Sequence, residues 1–129
     1  MVPEPEAVSD QIRLVIPADP GYGRLARITV SGLARRLGFS YRSIEDLRLA
    51  IDEAVILLLR PEGGPGSITL LFDVGQTGLR VEATTTAAMD QAWIDQGALA
   101  RFEAIVGATV DSYAVDEQGH HVHLLKHYD

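Results

Sequence analysis

The segment from Ser43 to Pro61 places the strongest constraint on the fold. Ser43 and Asp46 stand three positions apart, as in a capping box, and predict that a helix begins at Ser43. From Ala54 to Leu59 the segment is apolar on every side, and Pro61 ends it. Because a helix that is apolar all round has to be buried, this segment predicts a central helix covered by the rest of the domain. Its apolar stripe consists of Leu47, Ile51, Ala54 and Leu58.

Another helix is predicted just before it, from Tyr22 to Leu37, with Gly38 as the residue that ends it. Its apolar residues recur at helical spacing, at Leu25, Ile28, Leu33 and Leu37. Four arginines lie between them, namely Arg24, Arg27, Arg35 and Arg36. This basic stripe is either a solvated helix face or a surface that docks a partner.

Strands account for much of the remaining chain. A flexible tail is expected from Met1 to Asp10, and alternating residues predict a first strand from Ile12 to Ile16. Two hairpins follow, 67–72 with 79–83 and 111–115 with 121–126. In the first hairpin Arg80, Glu82 and Thr84 alternate with apolar residues, so one face of that strand is expected to be wet.

The order of these elements predicts the fold class. A third helix from Trp93 to Ala108 separates the two hairpins, which gives the order β-α-α-β-β-α-β-β. Runs of strands joined by short turns favour a mixed, mostly antiparallel sheet with helices on one face. We therefore predict an α+β, two-layer sandwich that forms a single domain over residues 11–129.

Composition excludes several classes of function. A net charge of -7 repels phosphate backbones, so direct nucleic-acid binding is not expected. The absence of cysteine excludes disulfides and thiolate chemistry. No segment approaches the roughly 20 apolar residues of a membrane-spanning helix, and the start of the chain is unlike a signal peptide. We expect a cytoplasmic protein without membrane contact.

The element order, together with Asp46-Leu-Arg-Leu-Ala-Ile-Asp-Glu-Ala54, resembles the anti-sigma factor serine kinases (RsbW-type). That family belongs to the histidine-kinase-like ATPases, which have the Bergerat (GHKL) fold. The resemblance runs from about Ile12 to Tyr128, and three stretches carry it. They are residues 26–30 with 38–40, residues 44–54 and residues 121–127.

The resemblance implies an ATP site, and the chain departs from it. Glu53 matches the glutamate that acts as general base toward a serine hydroxyl. Leu57 stands where the family has an asparagine that coordinates Mg²⁺, and a leucine offers no oxygen to a hard cation. Thr85 replaces the aspartate that accepts the adenine amino group, and Ala87 and Met89 fill the space of the glycines that follow it.

The phosphate-binding turn is also reduced, since only Gly97 remains of a Gly-x-Gly motif. We therefore expect no ATP turnover and no bound cofactor. The alternative is a working serine kinase that uses ATP and Mg²⁺, with Glu53 as the base and Thr85 at the adenine. A third possibility is a regulatory domain that uses the apolar pocket for another small ligand.

The resemblance also implies partners. Arg27 lies in the stretch that resembles the family's contact with its sigma factor and its anti-anti-sigma antagonist. An arginine fork suits a partner carboxylate, and Arg24 and Arg35 are further candidates. The alternative is an ordinary solvated arginine. A homodimer formed around the first strand and helix is implied in the same way.

Histidines are concentrated near the end of the sequence, at His120, His121, His123 and His127. His121 and His123 share one face of the predicted last strand, and such a pair is able to bind a metal. A solvated hairpin edge is the favoured interpretation, so no metal site is predicted.

Overall fold

The computed structural model describes residues 8–59, 64–87, 91–116 and 120–129. Within these ranges the chain forms five strands, four α-helices and one 3₁₀ turn. In chain order they are β1 (Val8–Pro17), the 3₁₀ turn (Pro20–Tyr22), α1 (Gly23–Arg36), α2 (Tyr41–Leu59), β2 (Ser67–Gly75), β3 (Gly78–Thr85), α3 (Gln91–Asp95), α4 (Ala98–Val106), β4 (Ser112–Val115) and β5 (His121–His127). No helix among the described residues is long and apolar enough to cross a membrane.

The five strands form one sheet in the order β1-β2-β3-β5-β4. All four pairings between the described strands are antiparallel. Phe72 illustrates the register, since it lies opposite Ile12 of β1 and Val81 of β3. Together with the helices that cover one face, this sheet confirms the predicted α+β class.

The core lies between the helices and one face of the sheet. Alternate residues of the inner strands, such as Phe72 and Leu79, are fully buried there. The predicted central helix is confirmed as α2, because Leu47, Ile51, Ala54 and Leu58 are each at most 2% exposed. Burial of one such leucine or isoleucine stabilises the fold by about 1.5–3 kcal/mol.

The predicted start of α2 is wrong. The helix begins at Tyr41, and Ser40 Oγ accepts a hydrogen bond of 3.1 Å from the main-chain N–H of Ser43. Ser40 therefore provides the cap, while Ser43 Oγ donates to Asp129 Oδ1 at 2.5 Å. Gly38 ends α1 as predicted, in a left-handed conformation with φ 82°, and so leaves Ser40 in position to cap the next helix.

The predicted apolar stripe of α1 is wrong in its first two turns. Leu25 is 46% exposed and Ile28 is 55% exposed, whereas Ala26, Val30 and Ala34 are fully buried. Small residues on the buried side allow α1 to pack closely against α2. The two larger side chains are consequently left on the outer side of α1, among its arginines.

The first strand is longer than predicted. β1 begins at Val8, so three residues of the expected tail belong to the sheet. Residues 1–7 of that tail lie outside the described residues. The expected wet face of β3 is also wrong at Arg80, which is only 5% exposed and lies opposite the buried Asp73 of β2.

The predicted third helix is divided in two. Gly97, with φ 90°, separates α3 from α4, because a left-handed residue interrupts a right-handed helix. Leu59 is the last described residue of α2, and Pro61 lies outside the described part of the chain. The same holds for residues 117–119 in the predicted turn between β4 and β5.

Candidate functional site

Glu53 lies on the buried side of α2, where it is 6% exposed. Its Oε2 atom is 3.4 Å from Nη2 of Arg101 on α4, a side chain that is 59% exposed. The packing of α4 against α2 therefore brings a cation to the residue that resembles a general base. Arg101 is not among the site residues predicted from the sequence, although it is the only basic residue between Gln91 and Thr109.

Leu57 lies one helical turn after Glu53 and is 4% exposed. The indole Nε1 of Trp93, on α3, donates a hydrogen bond of 3.2 Å to the main-chain carbonyl of Leu57. This bond holds α3 against the end of α2. At the position that resembles the magnesium-binding asparagine, the chain therefore has an aliphatic side chain that is part of the core.

Thr85 ends β3, and its hydroxyl accepts a hydrogen bond of 3.1 Å from the main-chain N–H of Ala87. That bond closes the turn that follows the strand. Ala87 is 5% exposed, and Met89 lies outside the described residues. Gly97 precedes α4, and its carbonyl accepts a hydrogen bond of 2.9 Å from the N–H of Arg101.

These residues fit a magnesium-bound triphosphate poorly. Mg²⁺ requires a nearly octahedral set of oxygen ligands. The carboxylate of Glu53 lies beside the guanidinium of Arg101, and Leu57 supplies no oxygen at all. The hydroxyl of Thr85 offers adenine a weaker acceptor than a carboxylate.

A second candidate region lies between α1 and the beginning of α2. It is a groove of about 600 Å³, and Arg24, Arg27 and Arg35, the three predicted partner-binding residues, all line it. Arg48 of α2 contributes a fourth guanidinium. We call this region the arginine groove.

Two of these arginines are engaged with neighbouring carboxylates. Nη1 of Arg27 is 3.4 Å from Oδ2 of Asp52, and Nη1 of Arg48 is 2.7 Å from Oε1 of Glu45. Arg24 and Arg35 are exposed and form no ion pair with any residue in the described part of the chain. The groove is therefore a local basic surface on a protein whose net charge is -7.

Apolar groups are exposed beside these charges. Ile28 and Tyr41 both line the groove, and they are 55% and 80% exposed. Arginine and tyrosine are enriched in the buried centres of protein interfaces. A groove that combines guanidinium groups with exposed apolar and aromatic side chains is typical of a surface that binds an acidic, partly apolar segment.

No protein-family model matches this chain. Three relatives are each named Serine-protein kinase RsbW. The relative from Oceanobacillus iheyensis is 54% identical over 46 residues, which are 36% of this chain and 29% of that protein. The one from Listeria monocytogenes serotype 4a is 52% identical over 46 residues, again 36% and 29% of the two chains. The Bacillus subtilis relative is 36% identical over 76 residues, which are 57% of this chain and 48% of that protein.

The chain spans less than half the length of each of these relatives. A solved structure of the RsbU and RsbW domains of a Mycobacterium tuberculosis protein matches with a TM-score of 0.67, over 93% of this chain and 32% of that chain. At 13% identity this match shows a common fold. The predicted resemblance to RsbW-type proteins is thus confirmed.

Proposed function

We propose that this domain is an anti-sigma factor-like binding module that docks its partner in the arginine groove and does not turn over ATP. The partner is a sigma factor, an anti-anti-sigma antagonist, or each in turn. The observation that carries the proposal is the convergence of Arg24, Arg27 and Arg35 on one groove. Arg27 lies in the stretch that resembles the family's partner contact, and Arg24 and Arg35 lie near it on the same helix.

The chemistry of the groove favours an acidic partner segment. Arg24 and Arg35 are exposed and form no ion pair within the described residues, so their guanidinium groups are available for bidentate bonds. Glu45 also lines the groove, and its carboxylate is paired with Arg48. Arg27 already holds the carboxylate of Asp52 at 3.4 Å. A partner carboxylate would take the place of Asp52, while Ile28 and Tyr41 would cover apolar groups of the same segment.

Absence of ATP turnover is supported by the residues around Glu53. Its carboxylate is paired with Arg101, and Leu57 is buried in the core. Regulation would then depend on competition between two partners for one surface, because a ligand shifts an equilibrium only through different affinities for two states. We expect this competition to take place in the cytoplasm.

We further propose that the domain acts as a homodimer formed around β1 and α1. β1 is an edge strand of the sheet, and Val15 on it is 52% exposed. An exposed edge strand with apolar side chains is suited to pairing with another chain. Sedimentation of the purified chain would test this point separately from partner binding.

The other candidate function is a serine kinase. The curated relatives are named serine-protein kinases, and Glu53 is present at the position that resembles their base. Transfer of phosphate from ATP to an anti-anti-sigma partner, abolished by Glu53→Ala, would favour this function over the first.

The test of the proposed function is calorimetric titration of the chain with the sigma factors and anti-anti-sigma factors of its source organism. The double variant Arg24→Ala/Arg35→Ala should weaken binding by about tenfold or more, since each lost charged hydrogen bond costs about 1.5–3 kcal/mol. Arg36→Ala is the matched control, because Arg36 is an exposed arginine of the same helix that does not line the groove. Failure of every such factor to bind would contradict the proposal.

A further inference from the structure

Three side chains of metal-ligand type meet on the sheet face that the helices do not cover. Glu82 lies on β3, directly opposite His123 of β5, and His121 lies two residues before His123 on the same strand. Side chains alternate between the two faces of a strand. All three therefore point away from the buried face, to which Ala83 and Val122 belong.

The distances between their polar atoms suit a common ion. Oε1 of Glu82 is 3.2 Å from Nδ1 of His123 and 3.4 Å from Nε2 of His121. One ligand atom from each of the three residues lies within 4.8 Å of the other two. Tetrahedral zinc with bonds of about 2.0–2.1 Å separates its ligands by roughly 3.3–3.4 Å. Small rotations about the side-chain bonds would bring all three atoms onto such an ion.

The surroundings hold these side chains in place. β3 and β5 are inner strands of the sheet, so the main chain at the cluster is paired on both sides. The ring centroids of His121 and His123 lie 4.1 Å apart, and the two ring planes are tilted by 37° to each other. Ala114 of β4 lies opposite His123 and leaves room for its ring. Nε2 of His121 is buried and makes no hydrogen bond within the described residues.

The geometry points to a site for a divalent transition metal ion of the zinc class, bound by Glu82, His121 and His123. Two imidazole nitrogens and one carboxylate oxygen form a set that zinc prefers. Three protein ligands leave a fourth position open for water or for a donor atom from another molecule. The bound ion would link β3 to β5 on the face away from the arginine groove. This inference differs from the sequence-based prediction of no metal site. The alternation of residues along β5 identifies His121 and His123, but it does not show that Glu82 of β3 lies beside them.

The test uses the untagged full chain, titrated with Zn²⁺ and, for its visible absorption, with Co²⁺. One equivalent should bind, and Zn²⁺ should raise the melting temperature, because a ligand that binds the folded state stabilises it. Glu82→Gln and His123→Gln should each weaken binding by at least about tenfold. His127→Gln is the matched control, since His127 lies on the same strand, 3.9 Å from the carboxylate of Asp111, without belonging to the three-residue cluster.

Imidazole resonances of the unmodified chain give a readout that does not depend on the folding of any variant. Zn²⁺ should shift the ring signals of His121 and His123 and leave those of His127 in place. Absence of stoichiometric binding would overturn the inference. The same conclusion would follow if binding survived Glu82→Gln and His123→Gln unchanged, or if the shifted signals belonged to His120 or His127.

Discussion

Oε2 of Glu53 and Nη2 of Arg101 lie 3.4 Å apart, and they join a buried position on α2 to an exposed position on α4. A carboxylate that is only 6% exposed needs a compensating charge or hydrogen-bond donor. Arg101 supplies both. The burial of Glu53, the residue that resembles a catalytic base, is thus explained by its ion pair with Arg101 across the contact between α2 and α4.

Arg101→Ala is expected to lower the free energy of unfolding by about 1–2 kcal/mol, because it leaves the buried carboxylate of Glu53 without its partner. Urea unfolding measures this change. Arg36→Ala removes an exposed arginine from α1 and should change stability by less than about 0.5 kcal/mol. Equal losses in the two variants would show that the ion pair does not stabilise the fold.

Leu57→Asn introduces the amide that the resemblance to RsbW-type kinases implies at this position, and it should destabilise the domain by about 2–4 kcal/mol. The loss has two sources, the removal of buried apolar volume and the burial of an amide without partners. Leu49→Asn is the control on the same helix, because Leu49 is 43% exposed and should lose less than about 1 kcal/mol. Thermal unfolding distinguishes the two variants. If Leu57→Asn gained tight Mg²⁺-ATP binding with unchanged stability, Leu57 would not be the core residue described above.

Asp52→Asn is expected to raise partner affinity severalfold, because it releases the guanidinium of Arg27 for a partner carboxylate. Stability should fall by at most about 1 kcal/mol, since both side chains of the pair are about one-third exposed. Arg27→Ala should weaken the same interaction by about tenfold. Calorimetric titration measures both variants. A loss of affinity in Asp52→Asn as large as that in Arg27→Ala would contradict the exchange of carboxylates.

Asp129 predicts a pH dependence. A hydrogen bond from Ser43 Oγ, followed by one from the main-chain N–H of Ser40, lowers the pKa of the Asp129 carboxyl below its ordinary value. A lowered pKa stabilises the fold above the unfolded-state value of about 3.9, and the stabilisation disappears as the pH falls through the lowered value.

The melting temperature of Asp129→Asn should therefore lie below that of the unaltered chain at neutral pH, and the difference should vanish in strong acid. Asp10→Asn, at an exposed position of β1, is the control and should show a smaller difference at neutral pH. A gap between Asp129→Asn and the unaltered chain that widened on acidification would have the wrong sign for this mechanism.

Sequence patterns predicted the fold correctly where the burial of a residue is decided by its neighbours along the chain. α2 was predicted correctly as a buried helix because the chain is apolar on every side from Ala54 to Leu59, so that every face of this part of the helix is expected to be buried. On α1 two sets of apolar residues have helical spacing, and the prediction assigned burial to the set with the larger side chains, Leu25 and Ile28. In the structure Ala26 and Val30 are the buried residues, because α1 packs closely against α2. This preference depends on the contact between the two helices and is not visible in the sequence of α1 alone.

For the candidate sites, too, the sequence predicted what lies within one element and missed what depends on contacts between elements. The resemblance implied Arg27 as a partner-binding residue, and Arg24 and Arg35 were further candidates because they lie near it on the same helix, three and eight residues away. Arg101 and Glu82 were missed because their partners lie on other elements. Their roles follow from the α2–α4 packing and the β3–β5 register, which no local pattern specifies.

The measurement that tests the central claim most directly is the affinity of the chain for the proposed sigma-factor partner with and without Mg²⁺-ATP, determined by calorimetric titration at constant salt. Binding through the arginine groove without nucleotide turnover predicts the same affinity in both conditions and no phosphate transfer. An affinity that rises about tenfold or more with Mg²⁺-ATP, and loses that rise in Glu53→Ala, would contradict the account.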